Sequence, residues 1–181
     1  KIYIDLSVLI NTAFLTGIQR VSREIVLRLL KSPELDINLL CYSNENEQFR
    51  LIDNDAFIDY YENKTGSASA CILSKSLNIN ELDAGAVFFD IDSVWSCLMT
   101  RSTLYPLLKN QGLKIITHVY DIIPITHPQY CHENTVMHFI EYLGATLQYA
   151  DKLIVNTQAT ADQISMVCER MERKMPPYVV A

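Results

Sequence analysis

Glycine and proline are scarce, 5 and 6 among 181 residues, which excludes collagen-like and linker-type chains. Positive charge is also short. The formal net charge is −6, and a nucleic-acid surface needs a basic face to neutralise phosphates, so no nucleic-acid partner is expected. No apolar run approaches the about 18 residues of a membrane span, and nothing reads as a secretory signal. The five cysteines, at 41, 71, 97, 131 and 168, are odd in number, scattered and without a C-x-x-C pair. A disulfide scaffold is therefore excluded, and a reducing, cytoplasmic location is expected. Three motifs are missing as well. Without G-x-G-x-x-G there is no dinucleotide fingerprint, without G-K-[ST] no phosphate-binding P-loop, and without G-x-S-x-G no hydrolase elbow. No cofactor is expected. The chain opens on a strand at Lys1 without an initiator Met, so residues are expected to precede it. Asn63-Lys64-Thr65 matches a glycosylation sequon and is read as chance.

What is present suits one packed domain. Apolar residues make up 49% of the chain, enough for a full core at this length. Residues 2–6 read as a buried strand, followed by a loop from Ser7 to Thr16. Ile18, Val21, Ile25 and Leu29 then recur at helical spacing from Gly17 to Lys31. Residues 36–43 read as a second strand. Between 44 and 80, polar clusters such as Asn44 to Glu47 predict turns around a short strand near Phe49–Ile52, with one short helix. Strands are then predicted at 86–90, 113–120 and 152–156, with a further one beginning at Tyr178. Helices are predicted from Val94 to Asn110, from 131 to 149 and from 157 to 173. Gly112 closes the first of these. Val136, Phe139, Ile140, Leu143 and Leu147 form the apolar face of the second, and Thr157 caps the third. Short apolar strands alternating with helices predict an α/β fold: a doubly wound, mostly parallel Rossmann-like sheet with helices on both faces.

In such a sheet, ligands bind beyond the carboxyl ends of the strands. Four loops there carry polar residues: Asp5 to Gly17, Asp90 to Asp92, Tyr120 to Pro128, and Asn156-Thr157. Thr16, Gly17, Ile18, Gln19 and Arg20 open a helix whose free N–H groups and dipole favour phosphate. A glycine before a helix is also an ordinary turn residue. Arg20, Arg23 and Arg28 lie close in sequence and could serve a small anionic ligand, although Arg23 and Arg28 read more readily as solvated helix charges. His118 and Tyr120 share a strand face with Asp121 at the tip. They suit hydroxyl binding or charge handling, or else Asp121 caps a turn while Tyr120 fills core with its hydroxyl bonded locally. His127, His132, His138 and Cys131 lack zinc spacing, His132 and His138 being six apart, and no metal site is expected.

Asp5, Ser7 and Thr16 to Glu24 resemble the opening of family 4 glycosyltransferases that build bacterial surface polysaccharides. Val119 to Pro124 with His127-Pro128, and Ala150 to Thr157 leading to Thr160, are similar to two later blocks of that family. The three blocks occur in order across residues 5 to about 164. The resemblance implies a GT-B enzyme in which residues 1–181 are the acceptor-side domain, with the donor domain and its carboxylate motif of two Glu absent from this chain. It implies retaining, metal-independent transfer of a hexosyl group from a nucleotide-sugar to a growing glycan or lipid-linked acceptor, with the protein peripheral at the inner membrane face. It places Gly17 and its neighbours by the donor diphosphate and Tyr120-Asp121 at the donor sugar. Tyr120 stands where many relatives have His, and His118 is the substitute at hand. Asp90, Asp92, His127 and Asn156 are expected in the cleft. The chain alone is expected to be inactive. The alternatives are a non-catalytic partner-binding relative and an unrelated small-molecule-binding Rossmann domain.

Overall fold

A computed structural model describes residues 1–12, 16–43, 45–97 and 99–181. Ala13 to Leu15 of the expected first loop, Asn44 of the polar cluster and Leu98 of the expected helix lie outside the described residues. In chain order the elements are β1 (Ile2–Asp5), α1 (Ser7–Asn11), α2 (Gly17–Leu30), β2 (Ile37–Ser43), β3 (Gln48–Ile52), α3 (Asn54–Ile58), β4 (Ile72–Leu77), β5 (Val87–Asp90) and α4 (Arg101–Asn110). They continue with β6 (Lys114–Val119), α5 (Ile123–Thr126), α6 (Glu133–Tyr149), β7 (Lys152–Val155), α7 (Gln158–Arg170) and β8 (Tyr178–Val180). Short 3-10 turns at Ala68–Cys71, Ile79–Glu81, Val94–Ser96 and Pro128–Tyr130, and a π turn at Asp59–Asn63, fill several connections.

All eight strands form one sheet in the order β4-β3-β2-β1-β5-β6-β7-β8. From β2 through β8 every pairing is parallel, while β3 and β4 join the β2 edge antiparallel. The mostly parallel α/β architecture is therefore as the strand–helix alternation predicts. One face packs Ile4 and Leu39 against Leu9 of α1, Val26 of α2 and Phe57 of α3. The opposite face packs Phe88 and Ile115 against Leu104 and Leu108 of α4, and Leu153 and Val155 against Phe139 of α6 and Ile164 of α7. Because strand side chains alternate, both sheet faces are apolar and both are covered by helices. Cys41 and Cys168 are buried as core residues.

Several elements differ from the sequence reading. The expected Ser7–Thr16 loop begins as helix α1, because Asp5 Oδ1 accepts from Ser7 N at 3.0 Å and Asp92 Oδ2 accepts from Leu9 N at 2.7 Å. Two carboxylates thus satisfy amides that a helix N-terminus leaves bare. The expected helix from Val94 is a single turn, and α4 starts only at Arg101. Val94 and Leu104, both within the one helix expected there, pack into different clusters, one against α6 and one against Phe88. Strand β4 was not foreseen. It is an edge strand whose Leu73, Ser74 and Lys75 are exposed, so its pattern reads as loop. On α6 the buried stripe is Phe139, Tyr142, Leu143, Thr146 and Leu147, while Ile140 is half exposed. Gly112 has φ +84°, the left-handed conformation expected after a helix.

Candidate functional site

The parallel strands β1, β2, β5, β6 and β7 deliver their carboxyl ends to one edge. Beneath that edge lies a charged cluster. Arg101, the first residue of α4, donates from Nη2 to Asp5 Oδ2 at 2.8 Å, and from Nε and Nη2 to the two oxygens of Asp90 at 2.6 and 2.8 Å. Tyr105 donates to Asp90 Oδ2 at 2.6 Å. All four side chains are buried. Burial works against the guanidinium charge, and the carboxylates of Asp90 and Asp5 overcome it, holding its pKa well above the ordinary value. Asp90, expected in the cleft, is instead a buried counter-ion with both oxygens occupied. The cluster fixes the ends of β1 and β5 to α4.

Asp92, also expected in the cleft, is likewise buried. Its carboxylate accepts from Leu9 N, from Ser93 N at 2.7 Å and from Gln19 Nε2 at 3.2 Å. It therefore ties the start of α1, the start of α2 and the turn after β5 to one point. Gln19 is drawn inward, donating from Nε2 to Ser93 Oγ at 2.5 Å while its Oε1 accepts from the Thr16 amide and hydroxyl. Gln19 thus holds the loop in place and leaves no side-chain group for a donor phosphate. Arg20 points to solvent.

Burial pushes the Asp92 carboxyl up to about 6 from 3.8, with the nearby charge of Asp5 adding to the shift. The folded state therefore holds the proton more tightly than the unfolded chain. Its contribution to stability is fully present below about pH 4 and is lost as pH rises through about 6. A shift of about two units is worth about 3 kcal/mol. Urea unfolding of the wild type and Asp92→Asn at pH 4.5 and 7.5 checks this. The wild type is expected to lose more stability than the variant over that interval, and parallel behaviour of the two proteins refutes it.

The third feature is the end of β6. His118 and Tyr120 stack with ring centroids 4.2 Å apart. The Tyr120 hydroxyl donates to Ile91 O at 2.8 Å and lies 3.1 Å from Ser22 Oγ, which itself donates to Ile91 O. Tyr120 thus clamps β6 to α2, and burial pushes its hydroxyl up to about 12. His118 is buried. Its Nε2 lies 2.8 Å from Asn156 Oδ1, and its Nδ1 has no partner among the described residues. Burial lowers its pKa, the Asn156 bond offsetting this only in part. His118 is therefore placed to orient Tyr120 and Asn156. Asp121 is half buried, and its Oδ1 accepts from Ile123 N at 3.0 Å, closing the turn into α5.

Tyr120 and Asp121 line a small pocket of about 50 Å³ together with Ile18, Trp95, Pro124 and Phe139. Ile18 brings the first turn of α2 into the same corner. Gly17 occupies the first helical position, with nothing among the described residues within 4 Å of where a Cβ would stand. Asn156 and His127 are exposed and do not line this pocket. His127 bonds Thr126 Oγ1 at 2.8 Å and stacks on Tyr130. His132 caps α6 by accepting from Asn134 N. Among the described residues no group of three His, Cys, Asp or Glu is arranged to hold a metal ion.

The sequence reading missed Arg101, Ser22 and Trp95. Arg101 had the look of a surface charge on a helix. Ser22 was a polar residue in an amphipathic helix, and only its position one turn beyond Ile18 hinted at an inward role.

No protein-family model matches the chain. Three curated proteins of Escherichia coli, each named serotype-specific mannosyltransferase WbdA, are 26–27% identical to it over 166 or 167 residues. The similarity covers 91% of this chain and 18–19% of those proteins, so the chain spans about a fifth of the length of the curated relatives it matches. The relatives are glycosyltransferases by name, the class that the three sequence blocks resemble. Among the described residues no helix is long and apolar enough to cross a membrane.

Proposed function

We propose that this chain is the acceptor-side half of a GT-B glycosyltransferase. The parent protein would transfer a hexosyl group, by analogy with the relatives' name a mannosyl group, from a nucleotide-sugar to a growing glycan or lipid-linked acceptor. The observation that carries this reading is one corner of the sheet. There the first turn of α2 and the Tyr120-Asp121 end of β6 meet across a common pocket. Helix-start amides beside Gly17 suit a diphosphate, and the Asp121 carboxylate suits a sugar hydroxyl. In this reading the amides stabilise charge developing on the leaving diphosphate, an electrostatic contribution from groups already in place. Tyr120 and His118 act as positioning residues, because the Tyr120 hydroxyl is bonded inward and His118 is buried. Transfer is retaining and metal-independent, and the protein works in the cytoplasm, peripherally at the inner face of the membrane.

The buried Tyr120 hydroxyl also favours a second reading, a non-catalytic relative that binds a partner. One experiment separates the two. The parent protein and the isolated 181-residue chain are each incubated with nucleotide-hexoses and a glycan acceptor in the presence of EDTA, and products are followed by NMR. Transfer by the parent with retained anomeric configuration, and none by the isolated chain, is the expected result. An inert parent favours the non-catalytic reading, and transfer by the chain alone refutes the two-half division.

A further inference from the structure

A larger pocket of about 520 Å³ lies at the same strand edge, over β1 and β2. It is lined by Ser7 and Asn11 of α1, Ser43 at the end of β2, Ser96 after β5, and Arg50 of β3. Arg50 is the cross-strand partner of Cys41. Its Nε is buried and has no hydrogen-bond partner among the described residues. No carboxylate lies within ion-pair distance of it among those residues. Asp5 is committed to Arg101 and Ser7. Glu45 lines the same pocket from an exposed position, beyond ion-pair distance. A buried donor with no acceptor is costly unless something fills its place. The rest of the lining mixes hydroxyl and amide groups with Val8, Tyr42, Ile72 and Cys97, a mixture that suits the polar rim and apolar face of a sugar ring.

The geometry points to this pocket as the seat of an acceptor sugar bearing an oxyanion, phosphate or carboxylate, with Arg50 as its counter-ion. A guanidinium offers a planar fork that matches either anion, and Arg50 shares its pocket with the polar side chains of Asn11 and Ser43. Position supports the assignment. The turn Val94–Ser96 divides this pocket from the Tyr120-Asp121 corner, Ser96 lining one and Trp95 the other. The two pockets therefore share one dividing turn, with the Arg50 pocket on one side and the proposed donor corner on the other. The inference rests on the transferase reading for the word acceptor, and on the pocket alone for the word anionic.

The test uses the 181-residue chain with four probes: a hexose 1-phosphate, a hexuronate, the free neutral hexose and inorganic phosphate. Calorimetry gives affinity, and amide shifts in NMR give the place. At least one anionic sugar is expected to bind, shifting the amides of Ser43, Arg50 and Ser96. Arg50→Gln is expected to weaken that binding about ten- to a hundredfold, the loss of one charge-assisted hydrogen bond, while Arg50→Lys, which keeps the charge and loses the fork, weakens it less. The tighter of the two anionic sugars identifies phosphate or carboxylate as the source. Unchanged affinity in Arg50→Gln overturns the proposal, as does equal binding of the neutral hexose or of inorganic phosphate. Should Arg50→Gln fail to fold, wild-type binding that does not weaken between about 50 and 300 mM salt overturns it instead. No donor or turnover enters these measurements. An inactive parent would leave the anionic-sugar site standing, and absent binding would leave the transferase reading standing with another acceptor.

Discussion

Arg101→Met is expected to cost about 3–5 kcal/mol of folding stability, the range for breaking a buried ion pair by removing one partner. A domain of this size has about 5–15 kcal/mol in total, so the variant would sit near the edge of folding at 37 °C. The reason is the company Arg101 keeps. Asp5 and Asp90 are both buried and both bonded to its guanidinium. Methionine fills the volume and removes the charge, leaving two carboxylates in a dry site with only Ser7 and Tyr105 as donors. Adding Asp5→Asn and Asp90→Asn to Arg101→Met removes those charges and is expected to recover much of the loss. Denaturant unfolding monitored by circular dichroism measures both steps. A cost below about 1 kcal/mol for Arg101→Met would mean that the cluster relaxes or admits water, and that it does not fix β1, β5 and α4 together.

That cluster also marks where sequence reading stops. The partners Asp5 and Arg101 are 96 residues apart, so nothing local distinguishes Arg101 from a solvated helix charge. The parallel strands were legible because each is a short apolar run, a pattern that depends on neighbours only in the average and that persists even in the exposed edge strand β8. Edge strand β4 was not, since an exposed edge needs no apolar pattern to pair with β3. Asp90, Asp92 and Gln19 show the same limit from the other side. Polar residues at carboxyl ends of strands suggested ligand contacts, and the fold uses all three to hold its own loops. Position in the topology was readable. Whether a polar group faces ligand or structure depends on partners that only the fold brings together.

In the parent protein, Asp121→Asn is expected to lower transfer about ten- to a hundredfold, the effect of one charge-assisted hydrogen bond of about 1.5–3 kcal/mol acting in the transition state. Asparagine keeps an oxygen where Asp121 Oδ1 accepts from Ile123 N, so the turn into α5 survives and only the charge is lost. Gly17→Val tests the other wall of the same corner. Among the described residues nothing crowds the added Cβ position, and the backbone there is not left-handed, so those residues leave room for valine. Stability is expected to stay within about 0.5 kcal/mol, as for an ordinary surface change. A bound diphosphate would need that space, since backbone N–H groups bind phosphate only at close approach. Transfer is therefore expected to fall at least as far as in Asp121→Asn, with Gly17→Ala between valine and wild type. The graded series separates crowding of a ligand from loss of fold, which unfolding measurements on the same three proteins report directly. Normal turnover in folded Gly17→Val would exclude a diphosphate at the start of α2. Normal turnover in both variants would move the donor site away from this corner altogether.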